Sequence, residues 1–435
     1  MKKNTQVEVQ ITDLSHDGRG VAHVDGKAVF VRGGLPGESA SVRIVRSKRS
    51  FDEAEIEELH TRSADRVEPR CAHYEQCSGC SLQHLAPAAQ IASKQHVLAD
   101  NFERIGKVAP ERWLEPLTDS VWGYRRKGRL SVKHVAKKGR VLVGFRESNP
   151  RFVADIRRCE VLHPALGPKI EAIGDMLGTL EVGAQIPQIE FAAGDDTVAL
   201  VFRHLTPLGA QDREKLVAFG REHGFAIYLQ PGGISSVHPL WPEAPRLAFR
   251  IPDYQVELEF QPLDFVQINA GINQRMIAHA MDLLAPSPQD RVLDLFCGLG
   301  NFTLPLARRV AQVAGVEGDT ELVRRAAANA RANGIENTQF HVANLFEDQR
   351  GASWARQDWD KLLLDPPRAG ADKILEHLPG KATSRVVYVS CHPGSLARDA
   401  AILVREHGFR LAAAGVMDMF PHTAHVESIA LFERA

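Results

Sequence analysis

The sequence predicts an α/β chain. A Rossmann-like doubly wound C-terminal domain is expected, preceded by a mixed α/β middle domain and a small OB-like β-barrel. Three observations carry this expectation. Residues 6–60 alternate apolar and polar over short runs, three cysteines crowd into residues 71–80, and from about residue 263 apolar strands alternate with helix-like segments. At 435 residues the chain is too long for one ordinary core, which favours two or three domains. The expected divisions are 1–64, 65–262 and 263–435.

Composition narrows the class without naming it. Hydrophobic residues make up 44% and charged residues 25%, as in a soluble globular protein. A net charge of −1 neither favours nor excludes nucleic acid, so any basic surface must be local. The start, MKKNTQVEVQ, lacks the apolar stretch of a signal peptide, and no run approaches the roughly 20 apolar residues that span a bilayer. A cytoplasmic protein with no membrane partner is expected. In a reducing compartment cysteines seldom pair, so the six at 71, 77, 80, 159, 297 and 391 are candidates for metal binding and catalysis.

The barrel rests on VEVQI, GVAHV, KAVFV, ASVRIV and EAEIEEL, about five strands, separated by HDGRG, VDGK and RGGLPGE. Glycine-rich turns between alternating runs predict a small antiparallel barrel. Arg43, Arg46, Lys48 and Arg49 load one hairpin with positive charge. Such charge either blunts a strand edge or offers an OB-like surface to RNA. GRGVAHVDGKAVFVRGGLPGE and the basic run after it resemble a TRAM domain, an RNA-binding barrel attached to RNA-modifying enzymes.

CAHYEQCSGCSLQHL spaces Cys71, Cys77 and Cys80 as C-x5-C-x2-C, and Cys159 in DIRRCEVLHP is the free candidate for a fourth ligand. Four thiolates hold either zinc or an iron–sulfur cluster, and spacing does not separate the two. Residues 86–105 carry apolar positions at helical spacing with no glycine before the end, predicting a long helix. GYRRKGRLSVKHVAKKGR (123–140) holds eight lysines and arginines and no acid, with Trp122 and Tyr124 at its start. Two strands joined near Lys137–Gly139 are expected, and phosphate binding with base stacking is the favoured use of the charge. Residues 150–260 alternate strand and helix without a catalytic cluster.

The C-terminal third carries the chemistry. RVLDLFCGLGNFTLPLARR places a strand ending at Asp294 before Gly298-x-Gly300 and a helix. Glycines there let the backbone approach a ligand at the sheet's C-terminal edge. A third glycine and a P-loop lysine are missing, which counts against NAD and ATP. A two-glycine loop after an aspartate-ended strand suits S-adenosylmethionine. Glu317 ends the next strand 23 residues after Asp294, where an acid can hold both ribose hydroxyls. Asn344 follows at the adenine position, and KLLLDPPRAG ends in Asp365. Together these predict a class I methyltransferase core.

VVYVSCHPGSLARD then delivers Cys391 to the mouth of the fifth strand. An isolated cysteine there is more often a small core residue than a nucleophile. Beside a methyl donor the balance reverses. Carbon 5 of a pyrimidine is a poor nucleophile, and thiolate attack on carbon 6 creates the enolate that takes the methyl group. Glu427, set in the apolar run VESIALF, is costly to bury without a role and is the candidate base for the carbon 5 proton. His392, or the helix N-terminus at Ser395, is a candidate activator of the thiol. Uracil and cytosine both remain open on this chemistry.

QINAGIN, DLFCGLGNFTLPLA, LLLDPPRAGA, YVSCHPGSLARD and DMFPHTAHVES, in this order, resemble the RNA uracil-C5 methyltransferase family, in particular its 23S rRNA branch with a TRAM barrel and four cysteines. The resemblance covers nearly the whole chain. It implies 23S rRNA as substrate and partner, S-adenosylmethionine contacts from Gln267, Phe296, Asn301, Glu317, Asn344 and Asp365, Cys391 as nucleophile and Glu427 as base. It also implies a [4Fe–4S] cluster on Cys71, Cys77, Cys80 and Cys159. A helix at about 83–112 is then expected to pack with the catalytic domain, and Phe265 to help stack bases. The chain departs from the family at His392, where asparagine is usual, which counts against His392 as activator. The cluster is expected to be structural, because the reaction has no electron-transfer step. A monomer that binds no DNA is expected. Methylation of another rRNA uridine or of tRNA, and a non-catalytic ribosome-assembly factor on the same fold, are the alternatives; a redox enzyme lacks any flavin motif.

Overall fold

The N-terminal alternation becomes one curled six-stranded sheet in a computed structural model that describes residues 3–380 and 382–434. Its strands lie in the order Gln6–Gln10, Ser39–Ser47, Phe51–Leu59, Lys27–Arg32, Gly20–Val24, Asp13–Leu14. The short Asp13–Leu14 strand is one more than the sequence suggested. Alternate residues turn inward, so Val9, Ala22, Val29, Val31, Val42 and Ile44 form a small core. A fully buried carboxylate, Glu38, is paired with Arg66 at 2.5 Å and accepts the Leu35 N–H, tying the barrel to the chain that follows.

The middle region is built on a second six-stranded sheet. Its order is His238–Trp241, Phe225–Gln230, Val198–Arg203, Gln188–Ala193, Lys127–Val135, Arg140–Gly144. The predicted basic hairpin is therefore two of its strands, joined through Ala136–Lys138 and a left-handed Gly139 (φ 63°). Helix Ile170–Gly178 covers one face, and its buried Ile170, Ile173 and Leu177 join Leu130, Ile189 and Phe191 in one core.

The third sheet has eight strands. Five parallel strands run Thr338–Val342, Gln312–Glu317, Arg291–Leu295, Lys361–Leu364, Arg385–Ser390. Glu427–Glu433 then adds antiparallel, and Arg410–Met417 antiparallel to that. Helices flank both faces, so strand neighbours feed different cores. Val292 packs with helix Ala270–Leu284, while Leu293 and Leu295 pack with Pro87–Asn101 and Pro393–Arg405.

Two features cross the expected divisions. The helix is shorter than 83–112: it begins at Pro87, winds into a wider turn over Phe102–Gly106, and stops where Lys107 takes a left-handed conformation (φ 52°). The chain then adds Arg112–Trp113 as an eighth strand to the catalytic sheet. The hairpin Ala248–Ile251/Val256–Glu259 buries Ile251, Val256 and Leu258 in the catalytic core. Asn329 and Asn333 bond its backbone. The catalytic body thus includes residues on the N-terminal side of 263.

Candidate active site

The reversal of the strand at Glu427 brings the two expected reactive residues together. The antiparallel ladder closes with Ser390 opposite Ser428, so Cys391 and Glu427 are the next residues on the two adjoining strands, near enough for the Glu427 charge to act on the thiol. The strand leading to Cys391 ends where the strand of Glu427 begins. Asp365 lies at the end of the adjoining strand Lys361–Leu364. Burial, then the negative charge of Asp365, push the Glu427 carboxyl up to about 8, against the attraction of Lys94 and Arg368. Burial, then Glu427 and Asp365, push the Cys391 thiol up to about 11, and Arg368 opposes this. A carboxyl titrating near neutrality can hold or release a proton at little cost, as a general base requires.

His392 has another occupation. Its Nδ1 accepts the backbone N–H of Ser395 at 3.2 Å, capping helix Pro393–Arg405. Ser395 Oγ in turn donates to the Arg368 carbonyl at 3.0 Å. Asparagine caps helices by the same acceptance, so histidine here fills the structural position with its ring nitrogen committed.

The residues expected to meet S-adenosylmethionine gather along the C-terminal edge of the parallel strands. Phe296 takes a left-handed conformation (φ 65°), as do Gly298 (53°) and Gly300 (90°), so the chain turns sharply above the strand. A side chain at Gly298 would meet nothing within 4 Å, which leaves the loop open to a ligand. Glu317 accepts the Gly298 N–H at 3.2 Å and is thereby held under the loop. Asn301 and Asn273 exchange amide hydrogen bonds at 2.9 and 3.0 Å. Gln267 donates to Asp365 at 3.4 Å. Asn344 is turned toward Glu347 and the Phe346 N–H, and the Phe346 ring stands 5.9 Å from that of Phe296. Asp294 was read as the strand's end only. It is fully buried, its Oδ1 has no partner, Thr303 bonds the other oxygen at 2.5 Å, and burial pushes its carboxyl up to about 8. An orphan oxygen beside an open glycine loop fits a cationic ligand group.

Cys71, Cys77, Cys80 and Cys159 line one cavity of about 340 Å³ with Tyr74, Phe145 and Ile156. Burial raises all four thiols, Cys77 to about 11 and Cys80 to about 12, and Cys77, Cys80 and Cys159 also feel the charge of others in the set. No three His, Cys, Asp or Glu side chains among the described residues are placed to hold a metal ion.

The basic segments are more heavily neutralised than the sequence suggested. Arg126 pairs with Asp195, Arg129 with Glu190, and Lys138 and Arg140 with Asp155. Lys127 donates to the carbonyls of Pro262 and Asp264. The carboxylates come from distant positions, which a window over 123–140 could not show. Tyr124 is buried with its hydroxyl on the Pro421 carbonyl, and Trp122 stacks on His422 at 4.0 Å, so both rings serve internal packing. On the barrel Arg43 pairs with Glu55 and Glu57, whereas Lys48 and Arg49 at the hairpin tip are exposed. Phe265 is 66% exposed.

Sequence reading also passed over Lys94 and Gln90. Both lie on the buried stripe of helix Pro87–Asn101 with Ile91 and Leu98. Their i, i+4 spacing on that apolar stripe was the available signal.

Comparisons with known proteins agree with this geometry. The profile of the family described as tRNA (Uracil-5-)-methyltransferase matches residues 246–435, and that of the TRAM domain matches residues 2–56. The 23S rRNA (uracil(1939)-C(5))-methyltransferase RlmD of Xanthomonas euvesicatoria is 59% identical over 433 residues, covering 99% of this chain and 98% of the relative. The RlmD of Xylella fastidiosa gives the same identity and coverage. Among solved structures, the tRNA (uracil-54, C5)-methyltransferase of Pyrococcus abyssi, in complex with S-adenosyl-L-homocysteine, shares the fold at a TM-score of 0.72. It is 23% identical, and 98% of this chain and 100% of that one are covered. With relatives at 59% identity covering nearly the whole chain and the family profile over its C-terminal part, the chain belongs to the RNA uracil-C5 methyltransferase family.

Proposed function

We propose that the protein transfers a methyl group from S-adenosylmethionine to carbon 5 of a uridine in 23S rRNA, the uridine at position 1939 named for its relatives. The observation that carries the chemistry is that Cys391 and Glu427 flank the last ladder pair, Ser390 and Ser428, with the Glu427 charge acting on the thiol. The target base must first leave its stack, at a cost of a few kcal/mol. Cys391 Sγ, as thiolate, adds to carbon 6 of the uracil, and the electron pair of the carbon 5–carbon 6 double bond moves into the enolate. Bound S-adenosylmethionine supplies the methyl group, which carbon 5 accepts. Glu427 removes the carbon 5 proton, the double bond re-forms, and the bond from carbon 6 to sulfur breaks to release Cys391. Gln267, Phe296, Asn301, Glu317, Asn344 and Asp365 hold the methyl donor in this reading. Arg368, whose charge favours the ionised forms of both Cys391 and Glu427, stabilises the negative charge that passes between them.

Cys391→Ala is expected to abolish methylation of unmodified 23S rRNA, because no other nucleophile stands at the strand end. Retained transfer, measured as incorporation of labelled methyl into the RNA, would sink the mechanism. Comparing initial rates on rRNA and on tRNA tests the substrate, and 23S rRNA should win by orders of magnitude.

The four thiols are best matched to a [4Fe–4S] cluster on Cys71, Cys77, Cys80 and Cys159. They line one cavity with Tyr74, Phe145 and Ile156. A single zinc needs four ligands about 2.3 Å from one centre, whereas a cluster spreads its ligands over several irons. The group is structural, joining chain segments about 80 residues apart in sequence. Protein purified without oxygen should be brown and carry iron and sulfide in equal amounts; colourless protein carrying one zinc would overturn this assignment. The protein acts in the cytoplasm in this reading, and no helix among the described residues is long and apolar enough to cross a membrane.

A further inference from the structure

The loop over residues 418–426, which leads into Glu427, is bound more tightly than a surface connection requires, and its partners come from more than 290 residues earlier in the chain. The backbone N–H groups of Ser81 and Leu82 donate to the His422 carbonyl at 2.9 and 3.0 Å. Ser81 Oγ accepts the Ala424 N–H at 3.1 Å. Gln90, 1% exposed, accepts the His422 N–H at 2.8 Å and donates to the carbonyls of Leu82 and Leu85 at 2.9 and 2.7 Å. One amide thus joins the turn after Cys80 to the catalytic loop. Lys94, one helical turn on, pairs with Asp418 at 2.6 Å and donates to the Phe420 carbonyl at 3.0 Å; both side chains of the ion pair are nearly inaccessible. His422 is held in the left-handed region (φ 64°), a conformation a non-glycine residue keeps only when its surroundings enforce it.

This loop borders the reactive strand end on both sides. Asp418 follows Met417, which is paired with Glu427 across the ladder, and Val426 precedes Glu427. The first residue of a strand frays unless its incoming chain is fixed. We propose that Gln90 and Lys94 are positioning residues for the general base: by clamping the loop over 418–426 they keep Glu427 at the strand end beside Cys391. The inference rests on the role proposed above for Glu427 and assigns this role to a helix outside the C-terminal third. Thiolate addition and methyl transfer need Cys391 and the glycine loop, which the clamp does not touch. Only proton removal from carbon 5, and the breaking of the carbon–sulfur bond that follows, depend on it.

The test is to trap the intermediate. Full-length wild type, Gln90→Met and Glu427→Gln are incubated with unmodified 23S rRNA and methyl-labelled S-adenosylmethionine, and the labelled protein–RNA adduct is followed on denaturing gels. Methionine approximates glutamine in volume but makes none of its hydrogen bonds. Gln90→Met should form the labelled adduct at the wild-type rate and resolve it about ten- to a hundredfold more slowly, the penalty of a misplaced catalytic group. Ser81→Ala, which removes one bond, should show the same split more weakly, and both variants should retain the wild-type absorbance of the cysteine site. Resolution at the wild-type rate in Gln90→Met, or equal loss of adduct formation and resolution, would overturn the inference. Glu427→Gln separates the two readings. If it traps the adduct and Gln90→Met does not, only the clamp falls; if Glu427→Gln turns over like wild type, the base assignment itself falls.

Discussion

At the residue scale, the site sets two carboxyls and a thiol in one another's field and lets burial oppose their ionisation. Glu427 must be a carboxylate to take the proton, and burial with Asp365 has moved its titration up to about 8. The groups facing it are Asp365, Cys391, Lys94 and Arg368. The rate of adduct resolution should therefore climb as pH rises through about 8 and fall below it, because the protonated form accumulates on the acid side. Lys94 holds the carboxyl down by attraction. In Lys94→Met this limb should shift to higher pH in single-turnover rates, whereas simple loss of folded protein would lower the rate equally at every pH. Cys391 and Glu427 stand out in the sequence because one breaks off an apolar strand and the other opens one. Lys94 does not, since its partner Asp418 lies 324 residues away and only folding brings them together.

Elements decide how far such residues can be trusted to meet. The parallel strands were legible because both of their faces are buried, which gives continuous apolar runs, and the glycine loop was legible from its place after Asp294. Gly300 shows why that loop needs glycine. It holds φ 90°, and an added Cβ would fall 2.5 Å from Leu304 Cδ1. Gly300→Ala should cost about 1–2 kcal/mol of backbone strain and weaken S-adenosylmethionine binding roughly tenfold by calorimetry, with Cys391 chemistry intact once the donor is saturating. The helix read from apolar spacing, 86–105, agrees with the observed Pro87–Asn101 and the wider turn Phe102–Gly106 that continues it, whereas the wider 83–112 is cut short by the left-handed Lys107 and by the pairing of Arg112–Trp113 with the catalytic sheet. That pairing is a tertiary contact, and nothing local announces it.

On the scale of the whole molecule, charge is distributed differently from its density along the sequence. The run at 123–140 is the most basic stretch, yet carboxylates from elsewhere neutralise much of it, while the shorter run at Lys48 and Arg49 reaches solvent on the barrel. Long-range pairing is invisible to composition, which is why the basic runs were legible in the sequence and the neutralisation of one of them was not. Replacing Lys48 and Arg49 by glutamate should raise KM for 23S rRNA without lowering kcat, and should flatten the salt dependence of binding by about one unit of slope per lost contact. A change confined to kcat would mean that the barrel tip does not meet the substrate. The reversed strand Glu427–Glu433 has a consequence at this scale too. In a sheet of parallel strands alone, every functional group at the active edge sits on a loop of its own, and their separations drift as loops vary. One reversed strand makes the hydrogen-bond ladder a ruler: Cys391 and Glu427, the proposed nucleophile and base, flank its last pair, Ser390 and Ser428. Sequence change around the site can alter what this enzyme binds far more freely than it can alter the distance over which a proton and a thiol must cooperate.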